Sequence, residues 1–291
     1  MLALLVLTLV WSYNWVVTKS VLQFVGAGDF TALRCAFGAL LLLVLLPLSG
    51  RPLKLPPWRP VLWIALFQTV GMTGLAQFAL ISGGVGKTAV LVYTMPFWVI
   101  LLAMLFLNEK PRLPQCIAAI IAALGLLLVV QPWQWQGSLS SSLLAVASGL
   151  SWAVASVMAK RAFRHQAVDL LSLVAWQMMV GTVVLSVLAI ATHTTPIIWS
   201  SYMVLALGYN AVLATALGWT LWLFVLRTLP TSIAGISTLM IPVMSVMWAW
   251  WLLNEKPSNA EGCGIGLILL ALALLGVPMS RARKQESGAR E

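Results

Sequence analysis

Asn108-Glu109-Lys110-Pro111 recurs as Asn254-Glu255-Lys256-Pro257, 146 positions further along the chain. The same offset, without gaps, aligns other residues on both sides of this motif: Thr69 with Thr215, Phe78 with Phe224, Pro96 with Pro242 and Pro132 with Pro278. Similarity at a fixed spacing is the signature of an internal repeat. The chain is therefore predicted to consist of two related halves.

The composition indicates that both halves lie in a membrane. Of the 291 residues, 61% are hydrophobic and 8% are charged, and the mean hydropathy is +0.99. Soluble domains carry about 25% charged residues, so this chain could not cover a surface that faces water. A helix needs about 20 apolar residues to cross the hydrocarbon layer. Ten apolar runs fit such helices: 2–22, 30–48, 60–82, 88–107, 114–131, 142–160, 168–191, 199–224, 231–253 and 260–279.

Each half holds five of these runs, and an odd number forces the second half to enter the membrane in the opposite orientation. Inverted repeats around a central site are typical of secondary transporters. We predict an all-α membrane protein with ten transmembrane helices, arranged as two inverted five-helix repeats around a central cavity. Residues 1–137 form the first repeat, 138–280 the second, and 281–291 a basic cytoplasmic tail.

The distribution of Lys and Arg predicts the orientation. Thirteen of the 17 basic residues lie in the loops after even-numbered spans or in the C-terminal tail, and four lie elsewhere. Because basic residues favour the cytoplasmic side, both termini are predicted to be cytoplasmic in a multi-pass protein of the inner membrane. The net charge of +10 is explained by these loops, so we predict no nucleic-acid partner.

The two halves share a pattern that resembles a known family. Each has a proline in its fourth span and a glutamate that closes this span, Pro96 with residues 108–111 and Pro242 with residues 254–257. In this respect the chain is similar to EamA-type members of the drug/metabolite transporter superfamily, over nearly its whole length. The resemblance implies two inverted five-helix repeats around a cavity, and transport of amino acids, metabolites or other small organic solutes, often outward.

Pro96 and Pro242 are the first candidates for the site. A proline within a helix lacks one backbone hydrogen bond and clashes with the carbonyl four residues earlier, here that of Val92 or Thr238. Paired breaks in the two halves point to a central binding site. The alternative is a kink that serves packing alone.

Polar and aromatic side chains within the spans extend the candidate site. Trp11, Asn14 and Trp15 share one helix face, because residues three and four apart lie together. The complete candidate lining is Trp11, Asn14, Trp15, Tyr93, Thr94, Pro96, Trp152, Gln177, Asn210, Trp219, Thr238 and Pro242. Such a lining suits a moderately apolar, zwitterionic or cationic solute. Alternatively, these residues only join helices to one another.

Charged residues near span ends are assigned gating or structural roles. Arg34 lies about one turn inside span two, where it either reaches the interface, binds an anionic substrate group or serves as a gate. Glu109 and Glu255 close their spans and pair with nearby Lys or Arg. No carboxylate lies in the middle of a span, so a proton relay through the membrane is not predicted. The alternatives for energy coupling are exchange, facilitated diffusion or an interfacial carboxylate such as Glu109 or Glu255.

The sequence favours a secondary transporter, expected to export its solute, rather than an enzyme. The first alternative is a membrane-embedded lipid-modifying enzyme, which would show clustered acid–base or metal-binding residues. The second is a channel or a regulatory membrane subunit, and a channel would show a selectivity filter or rings of like residues. The three cysteines are scattered, and we predict no catalytic residue, metal or cofactor. The expected partners are a small-molecule substrate and the bilayer. Gly262 and Gly266 in span ten predict close helix packing, in a monomer or a weak homodimer.

Overall fold

The computed structural model describes residues 2–82, 85–131, 139–193, 195–253 and 258–288, and within these ranges every regular element is a helix. In the first half the elements are α1 (Leu2–Val21), α2 (Ala27–Leu48), α3 (Trp58–Ile64), the π-helical segment π1 (Ala65–Gly74), α4 (Leu75–Ser82), α5 (Val85–Val92), α6 (Met95–Leu107) and α7 (Leu113–Val130). In the second half they are α8 (Leu139–His165), α9 (Leu170–Thr192), α10 (Ser201–Tyr209), the π-helical segment π2 (Asn210–Leu217), α11 (Gly218–Thr228), α12 (Thr231–Ser237), α13 (Met240–Leu253) and α14 (Asn259–Gly288).

Eight helical stretches in the described residues are long and apolar enough to cross a membrane, and they correspond to predicted spans one to four and six to nine. At the fifth and tenth positions lie α7 and α14, whose apolar stretches within the described residues are Leu113–Val129 and Asn259–Leu274. The all-α membrane fold is confirmed, with eight spans recognised by length and composition.

The second Asn-Glu-Lys-Pro motif, and with it Glu255, lies outside the described residues, as does the predicted boundary between residues 137 and 138. The contacts between the halves nevertheless come in matched pairs. Helix α1 packs against α13, and α8 packs against α6; α2 packs against π2, and α9 against π1. In addition, α2 packs against α9 and α7 against α14. These are the contacts expected of two halves related by a twofold axis.

Two glycines permit one of these matched pairs of contacts. A Cβ added to Gly38 would meet Thr215 Cγ2 at 2.9 Å, and a Cβ added to Gly181 would meet Thr69 Cβ at 2.4 Å. Gly38 and Gly181 therefore let α2 and α9 approach π2 and π1 closely. Small residues play this role in membrane helices because lipid offers no hydrophobic driving force for their association.

We expect Gly181→Ala to destabilise the protein by about 1–3 kcal/mol, because the new methyl group overlaps Thr69 and overpacked interiors cost about this much. The thermal midpoint of the detergent-solubilised protein, read by size-exclusion chromatography, measures the loss. Gly208→Ala is the matched control, since a Cβ at Gly208 meets nothing within 4 Å. Equal midpoints for both variants would contradict the close approach of α9 and π1.

The fourth and ninth spans are interrupted rather than kinked at their prolines. Helix α5 ends at Val92 and α6 begins at Met95, so Pro96 lies in the first turn of a new helix. Pro242 likewise lies in the first turn of α13. The first four N–H groups of a helix have no partner within it, so a proline there loses nothing. The clash expected for a continuous helix does not arise.

In each interruption a threonine hydroxyl donates a hydrogen bond to the backbone carbonyl three residues earlier. The Thr94 hydroxyl donates to the Leu91 carbonyl at 2.7 Å, and the Thr238 hydroxyl donates to the Gly235 carbonyl at 2.7 Å. Gly149 of α8 packs against the first interruption, where an added Cβ would lie 2.7 Å from the Val92 carbonyl oxygen. The freed carbonyls thus face protein, as a bilayer requires.

The third and eighth spans contain π1 and π2 at corresponding positions. A π-helix forms hydrogen bonds to the fifth residue instead of the fourth, and such segments are frequent at functional sites. Each carries polar side chains into the protein interior, among them Gln68 and Thr69 in π1 and Asn210 and Thr215 in π2, all of them buried.

The sequence predicts close helix packing at Gly262 and Gly266 of span ten, and the structure places the close contact at another glycine. A Cβ added to Gly262 or Gly266 meets nothing within 4 Å, so these residues pack closely against no other part of the chain that the structure describes. Gly264 between them is the contact residue, because its added Cβ would lie 2.6 Å from the Gly125 carbonyl oxygen of α7. Gly264 lies on a different face of α14, which the spacing of Gly262 and Gly266 does not reveal.

Candidate functional site

A small cavity of about 50 Å³ lies between the two halves. Residues of both halves line it, from α1, α2, π1, α4, the turn after α5, π2 and α11. The lining residues are Trp11, Asn14, Trp15, Thr18, Arg34, Met72, Thr73, Ala76, Gln77, Leu80, Tyr93, Ala214 and Trp219. Ligand pockets for organic molecules usually measure about 300–1,000 Å³, so this conformation holds at most a few water molecules.

Aromatic rings form one wall of the cavity. The Trp11 ring contacts Trp219 edge-on at a centroid distance of 4.9 Å, and Trp152 at 5.4 Å. Its indole N–H donates to the Ala214 carbonyl at 2.9 Å. Trp15 contacts Tyr93 at 6.4 Å, and Tyr93 contacts Trp152 at 5.9 Å. The edge-on arrangement is the favourable one for aromatic pairs, so these rings form a connected and rigid surface.

Four polar side chains of the lining carry buried atoms that have no hydrogen-bond partner among the described residues. They are Asn14 with its Oδ1, Thr18 with its hydroxyl, Arg34 with its Nε, and Gln77 with both amide atoms. Buried polar atoms in native structures are bonded in the large majority of cases. Unpartnered atoms on four side chains that line one cavity therefore indicate a site that water or a ligand completes.

Arg34 is the only cationic residue of the cavity lining, and its side chain reaches the second half of the chain. Its guanidinium donates to Asn210 Oδ1 at 3.0 Å, and Asn210 in turn donates to the Ala206 carbonyl at 3.1 Å. Arg34 is only 8% exposed, and no carboxylate of the described residues forms an ion pair with it. A guanidinium stays charged in proteins, so a buried positive charge faces the cavity without a counter-ion.

The structure brings one part of the sequence-predicted lining to the cavity and places the rest elsewhere. Trp11, Asn14, Trp15, Tyr93 and Trp219 line it, together with Arg34. Trp152 lies behind this wall, and Asn210 lies behind Arg34. Gln177 accepts a hydrogen bond from Thr69 at 2.8 Å, within the contact of α9 with π1. Thr94, Pro96, Thr238 and Pro242 form the two helix interruptions.

Sequence reasoning did not select Thr18, Thr73 or Gln77, although all three line the cavity. Gln77 carries the same signal that selected Gln177, an amide within an apolar run. The two hydroxyl residues give no such signal, because Thr is common within membrane helices as a hydrogen-bond partner of the backbone.

Glu109 holds the predicted cytoplasmic end of the bundle together. Its carboxylate forms an ion pair with Arg164 of α8. It also accepts hydrogen bonds from the Thr231 backbone N–H at 3.0 Å and the Thr231 hydroxyl at 3.1 Å, at the start of α12. A carboxylate is favoured at a helix N-terminus by the dipole and by the unpaired N–H groups. Glu109 thus connects spans four, six and nine.

Lys160 supports the same end of the molecule. It is the last residue of the predicted run 142–160, and it lies buried within α8. Its ammonium donates to the carbonyls of Leu226 and Leu229 at 2.6 and 2.7 Å, where α11 ends. The last carbonyls of a helix lack partners within it, and a lysine that binds them joins span six to span eight.

The comparisons with known proteins agree with this architecture. A model of the EamA-like transporter family matches residues 1–131 and 139–277. The transporter YoaV of Bacillus subtilis, itself uncharacterised, is 28% identical over 262 residues, which covers 88% of this chain and 89% of the relative. A probable amino-acid metabolite efflux pump of Salmonella typhimurium is 28% identical over 291 residues, which covers 93% of this chain and 92% of the relative.

The inner membrane transporter YedA of Escherichia coli K12, also uncharacterised, is 24% identical over 279 residues, with 94% of this chain and 89% of the relative covered. One solved crystal structure superposes with a TM-score of 0.82 at 18% identity over 97% of each chain, and this likeness concerns the fold alone. Because the family model covers both halves of the described helical bundle, the chain belongs to the EamA-like transporter family, and the protein is a multi-pass membrane transporter.

Proposed function

We propose that the protein exports amino acids or related small organic metabolites by alternating access at the central cavity. The observation that carries this proposal is the set of unpartnered polar atoms of Asn14, Thr18, Arg34 and Gln77, four side chains that line one cavity beside an aromatic wall. The relative from Salmonella typhimurium that is named a probable amino-acid metabolite efflux pump supports the substrate class.

The chemistry of the lining fits a zwitterion. The Arg34 guanidinium, with Gln77 and Thr18 as further donors, suits a carboxylate, and charge-assisted bonds of this kind are the strong ones. The Asn14 Oδ1 is a free acceptor for an ammonium group, which the faces of Trp15 and Tyr93 would also attract. The remaining aromatic surface suits an apolar side chain.

Alternating access requires that the cavity widen and that its two ends open in turn. In the described conformation Glu109 joins Arg164 and Thr231 at the predicted cytoplasmic end, and we propose that these contacts keep that end closed. The interruptions before Pro96 and Pro242 divide the fourth and ninth spans into two short helices each. We propose that these interruptions act as hinges, because short helices joined by a turn can rotate separately.

The division into an inverted pair of repeats, residues 1–137 and 138–280, belongs to the same proposal. The matched contacts of α1 with α13 and of α8 with α6 support it. The ring contact between Trp11 of α1 and Trp152 of α8, the first helices of the two halves, supports it independently. Two inverted halves could exchange conformations at similar energy. We place both termini in the cytoplasm because the distribution of Lys and Arg favours that orientation.

Transport by purified protein in proteoliposomes tests the function directly. A panel of radiolabelled amino acids and uncharged metabolites should include solutes that move faster than in protein-free liposomes, with saturation and with acceleration by the same solute on the opposite side. Acceleration by exchange is expected of a carrier and not of a channel. Chemical conversion of a solute without its movement would instead indicate an enzyme.

We expect Asn14→Leu to reduce transport of the best substrate about tenfold, because a hydrogen bond to a charged group contributes about 1.5–3 kcal/mol. Initial rates over a range of substrate concentrations give the change. Thermal stability should not fall, since Asn14 Oδ1 has no partner to lose. Gln23→Leu is the matched control, as Gln23 is an exposed amide just beyond α1. Equal transport by both variants would remove Asn14 from the proposed site.

A further inference from the structure

A second and larger cavity opens on the outside of the helix bundle, between α3, α6 and α8. Its volume is about 660 Å³. The residues that line it are Arg59, Pro60, Trp63, Phe67, Leu102, Phe106, Val154, Val157, Met158, Arg161, Ala162, His165 and Gln166. It shares no lining residue with the central cavity. Trp63 and Phe106 are 45% and 59% exposed, so the groove faces the surroundings of the bundle.

The charges of this groove are concentrated at one end. Arg59 lies in the first turn of α3, and Arg161 and His165 lie in the last turns of α8. None of the three forms an ion pair with a residue that the structure describes, although Arg59 stacks on Trp58. By contrast, Arg164 on the same part of α8 is paired with Glu109. The groove therefore presents cationic donors without an anion of the protein.

The apolar part of the groove runs from these charges toward the centre of the membrane. Val154 lies seven residues before Arg161 on α8, which is about 10 Å at 1.5 Å per residue. Phe67 stacks on Trp63 along the facing wall, with centroids 6.1 Å apart. The distribution of Lys and Arg over the loops predicts that the charged end faces the cytoplasm. The groove thus has a polar end at the height of headgroups and an apolar end at the height of acyl chains.

We propose that this groove binds a phospholipid with an anionic headgroup from the cytoplasmic leaflet. Arg59 and Arg161 bind the phosphate and the headgroup, because guanidinium groups form bidentate hydrogen bonds with phosphate oxygens. His165 supplies a further ring N–H. One acyl chain lies between Phe67, Val154 and Met158. Basic pockets between membrane helices on the cytoplasmic side bind such headgroups in other proteins.

Native mass spectrometry of the full-length protein tests the proposal. The detergent-solubilised protein is mixed with phosphatidylglycerol or with phosphatidylcholine of the same acyl chains. We expect a one-to-one adduct that is at least about threefold more abundant with phosphatidylglycerol, since each good charge-assisted contact favours the anionic lipid. The double variant Arg59→Gln/Arg161→Gln should lower the phosphatidylglycerol adduct to the level of phosphatidylcholine.

A control variant that also loses two positive charges, but outside the groove, distinguishes binding in the groove from general attraction of anionic lipids to a basic surface. Lys54→Gln/Arg227→Gln removes two charges from the same predicted side of the membrane but outside the groove, and its preference for phosphatidylglycerol should equal that of the unsubstituted protein. Val154→Trp keeps every charge and fills the apolar part, so it should reduce the adducts of both lipids.

Three results would overturn the proposal. The first is equal abundance of the two lipid adducts on the unsubstituted protein, and the second is loss of the preference in the control variant. The third is full competition by glycerol 3-phosphate, which would indicate a site for a soluble anion rather than for a lipid.

Discussion

Arg34→Met is expected to raise the substrate concentration for half-maximal transport about a hundredfold. The guanidinium is buried, has a free Nε and has no carboxylate partner among the described residues. If two charge-assisted hydrogen bonds to a substrate carboxylate are lost, at about 1.5 kcal/mol each, the affinity falls by about two powers of ten. Initial rates of uptake into proteoliposomes measure this change.

A pair of substrates distinguishes recognition from a structural role. The variant should lose its preference for an amino acid over the corresponding amide, which lacks the carboxylate, whereas a purely structural defect would lower both rates equally. Arg34→Lys keeps the charge without the bidentate geometry and should recover part of the preference. If Arg34→Met protein of unchanged thermal stability transports the amino acid and its amide in the same ratio as the unsubstituted protein, Arg34 does not bind the substrate carboxylate.

Glu109→Ala is expected to open the predicted cytoplasmic end of the bundle, which is the second large effect. The variant loses the ion pair with Arg164 and both hydrogen bonds from Thr231. Even one such bond to a charged group contributes about 1.5–3 kcal/mol, so the open population should rise about tenfold or more. The reporter is Ala234→Cys, fully buried in α12, in a protein whose three native cysteines are replaced by Ala. Its rate of labelling by a membrane-impermeant maleimide in inside-out vesicles should rise by the same factor.

Arg51→Gln is the matched control for this experiment. It breaks the ion pair of Arg51 with Asp169, whose side chains are 43% and 45% exposed. Exposed pairs contribute about 0–1 kcal/mol, so the labelling rate should change little. Similar acceleration by both variants would show that any lost charge loosens the bundle, and the assignment of Glu109 as a closing residue would then be wrong.

The fold could be predicted from the sequence because few backbone conformations are stable inside a bilayer. Inside lipid every N–H and C=O must be paired, so long apolar runs form helices, and the run predicted at 168–191 corresponds to the observed Leu170–Thr192. The common face of Trp11, Asn14 and Trp15 followed in the same way from helical spacing, and all three line the central cavity.

Features that depend on distant contacts could not be predicted. Pro96 starts a new helix rather than kinking one, and Gly149, which has no side chain, lets the distant α8 cover the carbonyls exposed there. The partner of Arg34 is Asn210, 176 residues away. No pattern of residue types marks π1 or π2.

The pairing of α7 with α14, in which Gly125 and Gly264 touch, has a consequence for biosynthesis. The two helices are separated by most of the second half of the chain, so α7 is made long before its partner exists. Helix α1 is likewise synthesised long before its partner α13. Contacts of such large sequence separation form late and slowly, and incomplete chains expose unpaired surfaces. We therefore expect that the first half cannot reach its native packing until synthesis is nearly finished, and that truncation within α14 would leave a lipid-embedded intermediate open to degradation.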